Sequence, residues 1–322
     1  PDDSIQVARE TAAANGVEDR IVFHQELSSR ITLPDPADVL FSDLRGVLPL
    51  FQHHIATVQD ARTRLLKPGG AQIPLRDRVW GAPVSAEELY QERVFPWEEN
   101  HRGFDLTPTS RRLADQFSKN RFKPDELVAE PALWAELDYT TIAEPGVRGV
   151  MEWELDREVT VHGLAAWFDT ELAPGVGFSN HPDAPKALYG QAFFPFREPL
   201  PCQAGHRLEV DLRAHLVGED YVWEWRTVHR AGPEAQDSLA RFTQSTLTSS
   251  VLSPERFRRG GEPYAPRLGP DGEAQAFVLQ AMDGTEPVGE IARRLQERFP
   301  DRFPTYRDAL NRVSALAREL GR

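Results

Sequence analysis

The spacing of apolar residues changes twice along this chain of 322 residues, and no single layer of secondary structure accommodates all three patterns. Residues 1–76 alternate helical apolar faces with short apolar runs. Residues 77–252 are dominated by the two-residue alternation of strands, and residues 262–322 return to helical spacing. The sequence therefore predicts an α/β domain, an all-β domain and a small helical domain, each with its own core.

The first domain has the pattern of a parallel α/β sheet. Apolar residues within 7–12 share one helical face, and residues 21–23 and 37–41 are predicted as short buried strands. A second helical face runs over residues 55–66 and is predicted to end where Lys67-Pro68-Gly69-Gly70 interrupts it. This order predicts part of a doubly wound, Rossmann-like domain.

The second domain has the alternation of strands with one wet face. In residues 208–213 apolar and charged side chains alternate strictly. Tyr221, Trp223 and Trp225 repeat this alternation; they could form an aromatic cage for a cation, but alternating aromatics in a strand usually pack in a core. With residues 161–172 as a third strand and proline-rich turns between the strands, the pattern predicts an antiparallel barrel or sandwich.

The composition narrows the class of partners. The net charge of −13 argues against general binding to nucleic acid or to an anionic membrane, because both favour clustered Lys and Arg. No apolar run is long enough to span a bilayer and no signal peptide is recognisable, so a cytoplasmic location is expected. Cys202 is the single cysteine, and no disulfide or metal site is predicted from it. Because Pro1 opens directly into a helical pattern, we expect that preceding sequence is missing.

Several motifs in the first 250 residues occur together in an order typical of one enzyme family. They comprise an acidic strand with its loop, a late Pro-Gly-Gly turn, Ile73-Pro74, a helical insertion and a barrel core: residues 38–46, 65–70, 73–74, 96–105, 127–138, 163–169 and 179–185. Together they resemble the protein arginine methyltransferase family. The resemblance implies a partial Rossmann-like domain that binds S-adenosylmethionine (SAM), followed by an antiparallel β-barrel. It also implies a helical arm at about residues 97–130 that clasps a second subunit in a homodimer, and a cis peptide bond at Ile73-Pro74.

The resemblance places two carboxylates that grip the substrate guanidinium in the loop after residues 37–41. In this chain the catalytic positions are Asp43, one methylene shorter than the usual glutamate, and Gln52, which lacks the charge. The family's Thr-His-Trp loop is likewise replaced by Ala187-Leu188-Tyr189, which leaves no imidazole. Both departures weigh against ordinary arginine methylation.

The cofactor site is expected to lie only partly within this sequence. The resemblance places the adenine edge of SAM at Ser28 and Ser29, whereas the glycine-rich turn and the ribose carboxylate would lie upstream of Pro1. The family usually has glutamate at the second of these positions, and a serine hydroxyl accepts a weaker hydrogen bond. An ordinary polar loop is an equally good interpretation of the two serines.

Three further residues are candidates for binding a peptide or protein substrate. His54 lies two residues after Gln52, and His181 and Tyr189 lie before and within the altered loop. The alternative for the pair His53 and His54 is that one faces solvent while the other packs on the sheet. The alternative for His181 is a role in a turn.

The last part of the chain carries a resemblance of its own. Residues 277–285 and 288–292 resemble the PqqD-type winged-helix module, which recognises precursor peptides. This implies capture of a peptide by strand addition. The near balance of Arg with Asp and Glu in this segment weighs against DNA binding, and a structural appendage is an alternative.

The patterns together support two functions of different classes. The first is a SAM-dependent methyltransferase that acts on a peptide or protein acceptor with altered catalytic residues. The alternative is a non-catalytic, dimeric peptide-binding or scaffold protein derived from a methyltransferase, because one lost charge at such a site removes much of the transition-state stabilisation. A DNA-binding regulator is a third, less favoured hypothesis.

Overall fold

The computed structural model describes residues 2–96, 103–233, 235, 237–250, 253, 255, 258–259 and 261–321. The chain divides into two compact units, Pro1–Val251 and Leu252–Arg322. None of the helices in these described ranges is long and apolar enough to cross a lipid bilayer.

The first unit begins with the predicted α/β pattern. Its helices and strands are α1 (Asp2–Ala14), β1 (Ala37–Phe41), α2 (His54–Arg64) and β2 (Leu66–Ile73). β1 and β2 pair in parallel, as the pattern predicts, but β1 is not the buried strand expected, since Val39 and Phe41 are 51% and 71% exposed. The prediction of a buried strand at residues 21–23 is wrong: the segment is irregular, and Val22 is 80% exposed. A strand needs a hydrogen-bonded neighbour, and the described sheet around β1 contains only β2.

The Pro-Gly-Gly segment has a different role from the one predicted. α2 already ends at Arg64. Residues 67–70 form a bulge inside β2: Ala37 of β1 pairs with Leu66 and Val39 pairs with Ala71, so residues 67–70 stand opposite Asp38 alone. Gly69 has a φ of 77°, and a Cβ on Gly70 would lie 2.7 Å from the Leu66 side chain. Gly69 therefore supplies a positive φ that larger residues rarely adopt, and Gly70 leaves room for the Leu66 side chain in this bulge.

The rest of the first unit is two antiparallel sheets, as the strand alternation predicts. The strands are β3 (Arg76–Val84), β4 (Ser118–Asn120), β5 (Ala132–Asp138), β6 (Val147–Glu154), β7 (Val159–Ala173), β8 (Val176–Ser179), β9 (Gln191–Cys202), β10 (Arg207–Val217), β11 (Asp220–Arg230) and β12 (Ser238–Ser245). One sheet has the order β4-β9-β7-β3-β5 with β8 against β7, and the other has the order β12-β11-β10-β6. The Ile73-Pro74 peptide bond that enters β3 is cis, as expected.

The inner faces of the two sheets share one aromatic core. Trp223 and Trp225 of β11 are buried in it, so their alternation reflects core packing and not a cation cage. The indole N–H groups of Trp134 and Trp225 donate to main-chain carbonyls at 2.9 and 3.2 Å, which satisfies the polar edge of each ring. Burying one such side chain contributes on the order of 1.5–3 kcal/mol.

One short helix precedes the predicted dimerisation arm and another lies within it. They are α3 (Glu87–Val94) and α4 (Thr107–Ala114), and a further short helix, α5 (Thr246–Ser249), follows β12. The Trp97-Glu98-Glu99-Asn100 part of the arm motif lies outside the described residues. Beside it, Phe95 and Phe104 are exposed. The helical prediction for about 97–130 holds for α4, whereas residues 118–120 are the strand β4.

The second unit contains both predicted helical stripes. Its helices are α6 (Pro270–Ala281), α7 (Val288–Arg298) and α8 (Tyr306–Leu320). Val278, Ile291, Leu295 and Val313 are buried together in its core. The described part of this unit is helical and contains no strand, so the wing of a winged helix is not among these residues. The winged-helix assignment stays a prediction.

A buried carboxylate on β10 couples the stability of the barrel to pH. Asp211 receives two hydrogen bonds from Arg213 and two from Arg148, at 2.8–3.2 Å. These bonds, from Arg213 first and then Arg148, hold the pKa of Asp211 well below its usual value. Because the folded pKa lies below the unfolded value of about 3.9, the ionised carboxylate stabilises the fold above that pH. This contribution is lost as the pH falls through the folded pKa.

We expect Asp211→Asn to lower the free energy of unfolding at pH 7 by about 1–3 kcal/mol, because it weakens two charged hydrogen-bond pairs. The difference from the parent protein should shrink as the pH falls below about 4. Urea unfolding followed by tryptophan fluorescence measures this, since every tryptophan lies within residues 1–251. Glu209→Gln is the matched control: Glu209 lies on the same strand in a partly exposed pair with Arg230, and should cost less than about 1 kcal/mol. An equal loss at pH 7 and pH 3 would contradict the prediction.

Candidate functional site

Two of the residues predicted from the sequence meet in one hydrogen-bonded pair. Asp43 lies in the loop after β1, and the hydroxyl of Tyr189, which precedes β9, donates to its carboxylate at 2.6 Å. The Arg45 Nε donates to the same carboxylate at 3.1 Å. Partial burial raises the pKa of Asp43, but the bonds from Tyr189 and Arg45 outweigh it and leave the pKa below its usual value. Asp43 is therefore ionised at neutral pH and faces the barrel.

The Arg45 side chain lies between the loop after β1 and the sheets of the barrel. This side chain is only 4% exposed, and its Nη1 donates to Thr170 Oγ1 at 2.7 Å and to Asp77 Oδ1 at 3.3 Å. The guanidinium carbon also lies 5.4–5.5 Å from three ring centroids, those of Phe168, Phe178 and Tyr189. Carboxylates and aromatic faces are the groups that recognise a guanidinium. The pocket around Arg45 thus has the chemistry of an arginine-binding site, occupied by the chain's own arginine.

Asp77 is the buried anion of this network. Its side chain is fully buried on β3, opposite Thr170 of β7 in the sheet register. Thr170 Oγ1 and the Tyr139 hydroxyl donate to the carboxylate at 2.7 and 2.6 Å. Burial raises the pKa of Asp77 above its usual value, and the charge of Arg45 with the hydroxyl donors offsets this only in part. The Asp77 carboxylate is fully enclosed, so it positions Arg45 and cannot itself contact a substrate.

The two neighbouring histidines have different surroundings. His54, at the start of α2, is 3% exposed, its Nδ1 lies 2.8 Å from the Pro49 carbonyl oxygen, and its ring packs on Tyr139. Burial lowers the pKa of His54, so the neutral ring donates its Nδ1–H to that carbonyl. His53 is partly exposed, with Nε2 lying 3.0 Å from Glu219 Oε2. One imidazole therefore packs inside and the other faces solvent, which is the packing alternative considered from the sequence.

The other predicted positions lie around this pair. Gln52 is exposed and has a φ of 44°, at the end of the loop that begins with Asp43. Ser28 and Ser29 form a short 3₁₀ turn with Arg30, and the Ser28 carbonyl accepts a hydrogen bond from Arg64 at the end of α2. A hydrogen bond thus connects α2 to the segment proposed to contact the adenine edge of SAM. No described hydrogen bond links Gln52 or either serine to Asp43.

His181 lies beside Tyr189 but not at Asp43. Its ring packs edge-on against Trp167, with centroids 5.0 Å apart, and its Nδ1 accepts the main-chain N–H of Asp183 at 3.0 Å. His181 and Tyr189 both line a small cavity of about 60 Å³. The hydrogen bond to Asp183 is that of a turn, so the structure gives His181 a structural contact as well as access to the cavity.

The sequence analysis assigned no role to Arg45, Asp77, Thr170 or Tyr139. The available signal was the charge of two residues. Arg45 lies in the loop after β1, and Asp77 lies within a strand, where apolar residues are usual. Such a charge is normally solvated, and only the register that pairs Asp77 with Thr170 shows that it is buried.

Comparisons with known proteins agree with this fold. Residues 76–226 match the family described as the arginine methyltransferase oligomerization subdomain. The chain is 28% identical over 217 residues to mouse protein arginine N-methyltransferase 2, an alignment that covers 63% of this chain and 48% of that protein. It is 29% identical over 215 residues to the arginine N(omega)-methyltransferase of Streptomyces achromogenes subsp. streptozoticus, covering 64% and 58%.

Solved structures show the same fold. The Trypanosoma brucei PRMT1 enzyme–prozyme heterotetrameric complex with AdoHcy has a TM-score of 0.66 at 22% identity, covering 74% of this chain and 76% of that chain. Arabidopsis thaliana protein arginine methyltransferase 10 has a TM-score of 0.60 at 20% identity, covering 74% and 79%. The chain thus resembles the protein arginine methyltransferases in sequence and shares their fold. It spans about half the length of the first curated relatives that it matches, 48% and 55%.

Proposed function

We propose that the protein is a SAM-dependent methyltransferase whose methyl acceptor belongs to a peptide or protein. The observation that carries the proposal is the Asp43–Tyr189 pair, which presents an ionised carboxylate from the α/β loop against the barrel. Within a fold of this family, that is where a cationic acceptor group would be held. Asp43 is the proposed catalytic residue, because a carboxylate at this position stabilises positive charge on the acceptor as the methyl group is transferred.

The described residues fit one side of a SAM site. Ligands of open α/β sheets bind beyond the carboxyl ends of the strands, and the Ser42 hydroxyl at the carboxyl end of β1 is buried with no partner among the described residues. The hydroxyls of Ser28 and Ser29 would hold the adenine edge, and the main binding motif is proposed to lie upstream of Pro1. When bound, SAM supplies an electrophilic methyl group. This chain's residues orient and neutralise the acceptor.

The uncharged side chain of Gln52 affects how strongly a guanidinium would bind at this site. Its amide can accept a hydrogen bond but carries no charge, so only Asp43 opposes the positive charge of an acceptor. A guanidinium held by one carboxylate is less firmly oriented than one held by two. We infer that the acceptor is a cationic group whose placement also depends on contacts made by Tyr189 and by the peptide chain.

One observation favours a second candidate, a non-catalytic dimeric protein that binds peptides or serves as a scaffold. Arg45 already forms an ion pair with the carboxylate that a substrate would need. Because the Arg45 side chain is almost fully buried and also pairs with Asp77, it does not leave this place without breaking buried contacts. A substrate must therefore share Asp43 with Arg45.

The proposed assembly is a homodimer formed through the arm near residues 97–130, since Phe95 just before that segment and Phe104 within it are exposed. The second unit is proposed to be a PqqD-like winged-helix module that captures a peptide. The proposed location is the cytoplasm. Binding of nucleic acid is not proposed, because the net charge is −13.

Calorimetric titration of the natural full-length protein with SAM, followed by transfer of labelled methyl groups to peptides, tests the two candidates. A methyltransferase binds SAM and labels at least one peptide class, with arginine-containing peptides tried first. Asp43→Asn serves as the matched variant: it should retain SAM binding and lose transfer. Absence of SAM binding would overturn the enzyme proposal, whereas SAM binding without any transfer would favour the scaffold.

A further inference from the structure

A cluster of one thiol and two imidazoles lies at one end of the barrel, apart from the Asp43 loop. The possible ligand atoms of Cys202, His206 and His229 all lie within 4.8 Å of one another. His206 Nδ1 is 2.9 Å from His229 Nε2, which in turn is 3.5 Å from Cys202 Sγ. Sequence analysis found no companion for Cys202; the fold brings two histidines beside it. The geometry points to a binding site for a zinc-type divalent metal ion held by these three side chains.

The cluster is protected from water and already supplies lone pairs. Cys202 and His229 are 1% and 3% exposed, and His206 is partly exposed. Two imidazole nitrogens 2.9 Å apart share one proton at most, so at least one of them presents a lone pair to the other. Neutral imidazole is the form that binds a metal.

The donor set selects the class of metal. One sulfur and two imidazole nitrogens suit a borderline-soft ion such as Zn²⁺, with Zn–S near 2.3 Å and Zn–N near 2.0–2.1 Å. Tetrahedral geometry then puts neighbouring ligand atoms about 3.4 Å apart. The two pairs that include His229 lie 2.9 and 3.5 Å apart, and the His206–Cys202 pair lies within 4.8 Å. Small side-chain rotations would bring the three ligand atoms to these distances. The fourth position would be taken by water on the partly exposed His206 side.

Binding exchanges a proton for the metal. Without a metal the Cys202 thiol donates a hydrogen bond to the Leu200 carbonyl oxygen at 3.4 Å, so it carries its proton. The ion takes the thiolate as ligand and one proton leaves to solvent, which conserves charge and atoms without any redox partner.

The positions of the three residues show what the metal would do. Cys202 ends β9 in one sheet, His229 lies on β11 in the other, and His206 is in the turn before β10. A metal bound to all three would link the two sheets of the barrel. It would stabilise the folded first unit by mass action, because the unfolded chain does not hold the ligands together.

The test is titration of the metal-free full chain with Zn²⁺ by calorimetry, and with Co²⁺ by absorption. We expect one equivalent to bind, a thiolate-to-cobalt charge-transfer band, and a higher midpoint of thermal unfolding with Zn²⁺. Cys202→Ser should abolish the charge-transfer band. His206→Gln, at a partly exposed turn where the core is undisturbed, should weaken Zn²⁺ binding at least about 10–100-fold, the loss seen even for outer-shell partners.

His215→Gln is the matched control, because His215 is exposed on β10 outside the cluster; it should leave Zn²⁺ affinity unchanged. Circular dichroism of each metal-free variant checks that it has folded. Failure of the folded parent chain to bind either ion would overturn the proposal. So would binding that His206→Gln leaves unaltered. Neither result depends on SAM or on methyl transfer.

Discussion

Replacing Asp77 by alanine is expected to lower the free energy of unfolding of the first unit by about 3–5 kcal/mol, the cost of removing one partner of a buried ion pair. The Arg45 guanidinium would stay buried while losing the carboxylate at 3.3 Å. The hydroxyls of Thr170 and Tyr139 would lose the acceptor that they share. Denaturant unfolding followed by tryptophan fluorescence measures the loss.

Two further variants separate the buried charge from its hydrogen bonds. Tyr139→Phe removes one donor to Asp77 and keeps the ion pair, so it should cost only about 0.5–3 kcal/mol. Arg45→Met combined with Asp77→Ala removes both buried charges and should be more stable than Asp77→Ala alone, because no guanidinium remains without its buried counter-ion. If the double variant is less stable than the single one, the buried charge is not the source of the cost.

The barrel was predictable because its signal is local. A strand with one face in the core and one in water must alternate, and β10 and β11 carry that alternation in consecutive residues. The prediction of a strand at residues 21–23 failed for the opposite reason: a short apolar run becomes a strand only where a neighbouring strand pairs with it. The prediction of a helix end at residues 67–70 failed because Pro-Gly-Gly can end a helix or bend a strand equally well.

The candidate site residues divide in the same way. Asp43 and Tyr189 were found because they occupy positions that the family resemblance marks, and the structure brings them into one hydrogen bond. Arg45 and Thr170 are 125 residues apart in the chain, so their contact depends on how the loop after β1 meets β7. Cys202 and His229 lie on strands of different sheets, and no sequence spacing encodes their approach.

Restoring the missing carboxylate by Gln52→Glu is expected to raise kcat for methylation of an arginine-containing peptide by about 10²-fold, the lower range for one electrostatic contact at a reacting centre. Gln52 is exposed, so the new charge is not buried at a cost. With Asp43 it would supply two anions for one guanidinium. This outcome rests on the proposed methyltransferase activity and is measured with full-length protein at saturating SAM.

Asp43→Asn is the opposite change and should lower kcat by about 10²–10³-fold while SAM affinity is kept. Asp35→Asn is the control, because Asp35 is an exposed carboxylate just before β1 and takes no part in the site. A gain with Gln52→Glu means that the pocket still admits a guanidinium beside Arg45, and that its missing charge limits the parent protein. No gain, with SAM still bound and Asp43→Asn still inactive, means that Asp43 serves an acceptor other than arginine. If neither substitution changes transfer, Asp43 serves only to hold Arg45, and the scaffold candidate explains the site better.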